Sequence, residues 1–240
     1  MKLICYLSNG NPLEKNTIEM AKAYAESGCD IIEVDLPARD PYLEGEFIAS
    51  LMAKALASCD DYDKYLEEME QIKKDNPDAS LIIMIYEATV LEIGYEKFVA
   101  FCKKNGYLDL IFVGLKDEVT KERLLADGIR VSCYVQYDMQ PAEIASAKES
   151  NGFVYLQAKP TTGNVNPKYP ELKDCIRCLR EEHGITRPIY CGVGIHSPED
   201  AKMAKEAGAD AVFVGSTILK LYPDKDAVKE KIKEFKDQCI

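Results

Sequence analysis

The sequence lacks any long apolar run. Its clearest continuous one, residues 81–86, is far short of the roughly 20 residues a membrane-crossing helix needs, so no membrane association is expected. Basic residues are in deficit: Lys+Arg number 30 against 41 Asp+Glu, a formal net charge of −11. A field of that sign repels nucleic acid and anionic lipid, so neither is an expected partner. An anionic small molecule must then be caught by local backbone dipoles. Histidine is scarce, and His183 and His196 fall in different units. No metal-ligand cluster, P-loop or Ser/His/Asp set stands out, so no metal and no other cofactor is expected. The nine cysteines are an odd number, and Cys5, Cys133 and Cys191 lie in apolar segments. That fits reduced thiols in a cytoplasmic protein better than a disulfide framework. Cys175 and Cys178 form a C-x-x-C, but within a helical pattern and without a second pair at zinc spacing. The opening residues, MKLICYLSNG, read as a strand and not as a signal peptide.

What is present is an ordinary globular balance, 47% hydrophobic and 30% charged, over 240 residues. Short β-rich runs alternate with longer amphipathic stretches from end to end. The expected strands are 2–7, 30–36, 80–86, 109–114, 130–135, 152–157, 188–191 and 210–214. Most are near-continuous apolar runs, as in strands buried on both faces of a parallel sheet. Helical spacing is expected over 16–27, 46–58, 62–74, 92–105, 116–126, 141–150, 169–183, 197–207 and 225–237. Gly28, Gly106, Gly128, Gly184 and Gly208 each follow a helical pattern, where a C-cap needs positive φ. Eight strand–helix units predict an α/β fold, a single (β/α)8 TIM barrel domain over residues 1–240. A doubly wound open sheet is the alternative, since periodicity alone cannot close a sheet.

In such barrels the loops after the strands carry function, with phosphate held after the last two. Gly215-Ser216 follows the eighth expected strand and opens a short helix, offering N–H groups and a hydroxyl to an anion. Gly194 follows the seventh, ahead of an N-cap at Ser197 with Pro198 at N1. Thr161-Thr162-Gly163 follows the sixth. Tight turns alone would also explain these glycines. In the second strand, Glu33 and Asp35 alternate with apolar residues and so share a face. If that face is the barrel interior, burial raises their pKa values toward general acid–base use. The following loop adds Glu44. An ion pair between Arg39 and one of these acids, with the rest as solvated loop charges, would also explain them. Tyr86, at the end of the third strand, lines the mouth or packs beneath it.

Taken together, these residues resemble the tryptophan synthase alpha subunit family, from Cys5 to about Lys220. "YLSNGNP" looks like that family's first strand and turn. "GCDIIEVDLPARDPYLEG" looks like its strand-2 segment, and "TTG", "GVGIHSPE" and "GADAVFVGSTILK" like its phosphate loops. The resemblance implies a lyase that cleaves indole-3-glycerol phosphate to indole and glyceraldehyde 3-phosphate by a retro-aldol route. It implies catalytic roles for Glu33, moving protons at the ring and the glycerol hydroxyl, and for Glu44, where the family has an Asp that contacts the indole N–H. It implies phosphate binding at Gly163, Gly194, Gly215 and Ser216, and a substrate pocket that includes Tyr6, Asp35, Tyr86 and Thr162. A tryptophan synthase beta subunit is the implied protein partner and a small phosphorylated compound the substrate. The sequence departs from the family at Glu44, one methylene longer, at Asp35, where the family has Gly, and at Ala158-Lys159-Pro160. These departures keep two alternatives open: a barrel enzyme for another sugar- or glycerol-phosphate, and a non-catalytic phosphate-ligand-binding subunit.

Overall fold

A computed structural model describes residues 1–10, 15–114, 118–160 and 165–240. Among them, nine strands form one sheet: β1 (Lys2–Leu7), β2 (Ile31–Asp35), β3 (Ser80–Tyr86), β4 (Asp109–Val113), β5 (Arg130–Val131), β6 (Cys133–Val135), β7 (Val154–Gln157), β8 (Ile189–Gly192) and β9 (Ala211–Val214). All pairings are parallel, in the order β5-β4-β3-β2-β1-β9-β8-β7-β6.

The two ends of that order, β5 and β6, are separated in the chain by Ser132 alone. Ser132 N–H donates to Leu110 on the β4 side, at 2.9 Å, and Cys133 N–H to Phe153 on the β7 side, at 3.1 Å. One chain segment therefore bridges both edges and the sheet closes into a TIM barrel, which removes the open-sheet alternative. The fifth expected strand, 130–135, is thus two short strands, because it changes neighbours midway. Gly152 faces this seam, where an added Cβ would lie 2.4 Å from the Val131 carbonyl oxygen.

Period-two alternation sorts each strand into an inner and an outer row. Ile4, Ile31, Ile82, Phe153, Ala211 and Phe213 pack together inside the barrel. Leu3, Cys5, Ile32, Val34, Ile83, Val212 and Val214 pack outward under the helices. Each fully buried Ile, Leu or Phe contributes roughly 1.5–3 kcal/mol against the ordering entropy. Tyr6, Glu33, Asp35, Met84 and Tyr86 belong to the inner row by the same alternation. Sequence spacing therefore places Glu33 one layer above Ile31.

The helices cover the outside. Helix Tyr62–Asp75 shows why: it buries Tyr62, Tyr65, Leu66, Met69 and Ile72 at three- and four-residue spacing, and Asp61 caps it by accepting from Asp63 N–H at 3.0 Å. The expected helix 92–105 is two helices, Glu87–Ile93 and Tyr95–Asn105, divided at Gly94 with φ 94°. The expected helix 169–183 starts at Leu172 and ends in a π-turn, Cys178–Glu182. All five C-cap glycines expected from the sequence have positive φ. The nine cysteines are unpaired, and among the described residues no helix is long and apolar enough to cross a membrane.

Candidate active site

A cavity of about 640 Å³ opens at the C-terminal ends of the strands. Glu33 lines it from the middle of β2, in register with Tyr6 of β1 and Ile82 of β3. Its carboxyl is buried (7% exposed), and among the described residues it has no ion pair. Burial, then the charges of Glu44 and Asp35, push its pKa well above the ordinary carboxylate range. Arg39 does not neutralise this acid; it pairs with Glu92 at 2.7 Å.

Glu44 reaches the same cavity from the loop after β2 and is half-buried. A turn closed by its N–H on the Pro41 carbonyl, at 2.9 Å, sets its place. Burial raises its pKa, and a hydrogen bond from the Tyr86 hydroxyl holds it back. Tyr86 itself accepts from Leu43 N–H at 3.2 Å and meets Tyr42 edge-on at 5.3 Å. It lies beneath the loop, 1% exposed, and supports the cavity lining from behind.

Asp35 stands one layer further out on β2. It is fully buried, and its two oxygens accept from the Tyr6 hydroxyl at 2.7 Å and from Asn9 N–H at 2.5 Å. Burial raises its pKa to about 7, against the pull of those two bonds. Asp35 therefore acts on the cavity through Tyr6, which lines it, and does not reach the surface itself.

The opposite wall is backbone. Val193, Gly194, Ile195 and His196 follow β8, and Gly215 and Ser216 follow β9; all six line the cavity. Val193 has φ 58° and Gly194 φ 103°, so the chain turns sharply where the cavity begins. A β-branched residue held there stores on the order of 1–3 kcal/mol, a cost concentrated at functional sites. Gly215 faces the opposite situation. Among the described residues a Cβ there would meet nothing nearer than Tyr6 Cβ at 3.7 Å, so crowding within the described chain does not account for a glycine. The bare backbone leaves room for something outside the chain. Gly163 and Thr162 lie outside the described residues.

Between the walls runs an aromatic floor that sequence reading missed. Tyr155 stacks on Phe213 with centroids 4.4 Å apart, and Tyr134 meets Tyr155 edge-on at 5.4 Å. Gly192 permits this, because its Cβ would lie 2.5 Å from the Tyr155 ring. The available signal was the inward parity of Tyr155 and Phe213 on their strands. Away from the cavity, Cys178, Glu182 and His183 bring three potential metal ligands within 4.8 Å, on the π-turn. Glu182 is already engaged there by Lys168 at 2.7 Å and by the Tyr169 hydroxyl at 3.0 Å.

Fold and cavity together define a TIM-barrel protein with an acid-bearing mouth. The family model described as tryptophan synthase alpha chain matches residues 1–239. The tryptophan synthase alpha chain of Staphylococcus carnosus (strain TM300) is 28% identical over 213 residues, 87% of this chain and 84% of that one. That of Legionella pneumophila (strain Corby) is 29% identical over 225 residues, 89% and 79% of the two chains. A crystal structure of tryptophan synthase from M. tuberculosis superposes with a TM-score of 0.83 at 26% identity, over 99% of this chain and 92% of that one. The chain belongs to the tryptophan synthase alpha chain family, a lyase family of tryptophan biosynthesis.

Proposed function

We propose that the chain cleaves indole-3-glycerol phosphate to indole and glyceraldehyde 3-phosphate, with the whole of residues 1–240 acting as one barrel domain. The observation that carries this reading is the meeting of three unlike surfaces in one cavity: two acids, an aromatic floor and a glycine-built wall. The ring lies on the floor of Tyr155 and Phe213. The phosphate sits against the backbone of Gly194, Gly215 and Ser216, where N–H dipoles take up negative charge.

Glu33 moves the protons. A proton goes onto the ring carbon that bears the glycerol chain, and the carbon–carbon bond between ring and chain breaks. The proton of the hydroxyl on the adjacent carbon leaves as that carbon becomes the aldehyde. Atoms and charge balance, and one group with a raised pKa serves both as donor and as acceptor. Glu44, on the same cavity, faces the ring nitrogen and balances the positive charge that develops there. Nothing in the fold or the relatives favours another phosphorylated substrate or a purely binding role.

A tryptophan synthase beta chain is the partner this reading supplies with indole, supported by the likeness to the tryptophan synthase structure of M. tuberculosis. Nine unpaired cysteines support a reducing, cytoplasmic setting. The test is direct. Indole-3-glycerol phosphate is incubated with the protein, alone and with a beta chain, and indole and glyceraldehyde 3-phosphate are quantified. Equimolar release of both is expected; no product in either arm overturns the reading.

A further inference from the structure

The cavity carries two acids and, among its described lining residues, no lysine or arginine. The chain as a whole is at −11. A phosphate dianion approaching this mouth meets a protein of its own sign, and backbone dipoles offset only part of that. One cation is nevertheless built against the glycine wall. The stem of Lys159, just after β7, lies on Gly194: a Cβ there would come within 2.8 Å of Lys159 Cβ, 3.2 Å of Cγ and 3.4 Å of Cδ.

The Lys159 ammonium pairs with Asp200. The other Asp200 oxygen accepts from His196 N–H at 2.9 Å and Ser197 N–H at 3.1 Å. Asp200 is thus fixed by the loop that carries Gly194, and it parks the ammonium beside that loop. The lysine side chain remains 42% exposed while the carboxylate is 16% exposed. A half-exposed pair of this kind holds its cation only weakly. A doubly charged phosphate at Gly194 and Gly215 competes for the same ammonium with twice the charge.

We propose that Lys159 is a phosphate-binding residue, which leaves Asp200 for the ligand phosphate. This rests on the reading that phosphate occupies the glycine wall. Lys159 supplies the cation that the described cavity lining lacks, and Asp200 keeps it poised when the site is empty.

Titration calorimetry with glycerol 3-phosphate, at low and high salt, tests it on wild type, Lys159→Met and Lys159→Arg. Loss of the ammonium is expected to weaken binding at least about tenfold. Lys159→Arg should restore it to within about threefold, and the salt dependence should flatten in Lys159→Met. Wild-type affinity in Lys159→Met overturns the proposal. So does equal weakening in Lys159→Arg, which would mark the stem and not the charge as what matters. Asp200→Asn guards against a misfolded lysine variant: freeing the ammonium should tighten binding, and unchanged or weaker binding counts against the proposal. A wild type that ignores glycerol 3-phosphate overturns both this inference and the phosphate reading beneath it. A wild type that binds while the variants match it overturns the inference alone.

Discussion

The two walls of the mouth are made of different material. One is backbone: Val193, Gly194, Gly215 and Ser216, shaped by φ angles and by missing side chains. The other is side chain: Glu33, Glu44 and, behind Tyr6, Asp35, with chemistry set by burial and by one another's charge. The backbone wall offers fixed dipoles that do not titrate and need no reorganisation, which suits holding. The acid wall holds groups whose pKa values burial pushes upward, which suits moving protons. Holding and reacting should therefore fail separately when either wall is altered.

The largest effect should come at the acid wall. Glu33→Gln is expected to lower kcat for indole-3-glycerol phosphate by on the order of 10²–10⁴ while glycerol 3-phosphate affinity stays at the wild-type level. Equal loss of binding and turnover would erase the distinction between the walls. Asp35 comes next, through stability. Its folded pKa of about 7 lies above the ordinary value of 3.8, so folding favours the protonated form. Stability is then fullest below pH ~4 and falls as pH rises through about 7, by up to a few kcal/mol for this group. Urea unfolding at pH 5 and pH 8 should show that fall in wild type and a flatter response in Asp35→Asn. A wild-type stability that rises over this range by the amount expected to be lost would contradict it.

The backbone wall gives a sharper, smaller contrast. Gly194→Ala is expected to cost about 1–3 kcal/mol, because φ 103° is strained for alanine and its Cβ runs into Lys159. Gly215→Ala should cost under about 1 kcal/mol, since among the described residues its Cβ meets only Tyr6 at 3.7 Å, yet weaken glycerol 3-phosphate binding. Thermal melts and titration of both variants check this pair. The smallest expected change is a pH shift. Removing the Glu44 charge in Glu44→Gln should lower the pKa of Glu33, moving the limb of the kcat/KM profile that reports Glu33 to lower pH. An upward move would mean that Glu44 does not act on Glu33 as a like charge.

Most of the barrel was legible in the sequence because inward and outward rows alternate regularly, and that rule also put Glu33 and Asp35 on the inner face. The same rule gives face but not depth, so it could not tell that Asp35 is sealed behind Tyr6 or that Tyr86 lies beneath the loop. The glycines at 194 and 215 stood out because glycine is chemically conspicuous. Val193 did not, although it shares the turn, because positive φ at valine is imposed by tertiary structure. The split at Ser132 was equally hidden, since it arises from where the sheet closes and not from any local residue preference. A pair between Arg39 and a site acid was one of two readings open to the sequence; Arg39 instead meets Glu92, on a helix that begins five residues earlier than spacing suggested.

One crystal structure would test the central claim most directly: Glu33→Gln with indole-3-glycerol phosphate bound. The expected result places the phosphate against Gly194, Gly215 and Ser216, the ring on Tyr155 and Phe213, and the ring–glycerol bond beside residue 33. A phosphate found away from the glycine wall, or a ring turned away from residues 33 and 44, would contradict the division of the mouth into a holding wall and a reacting one.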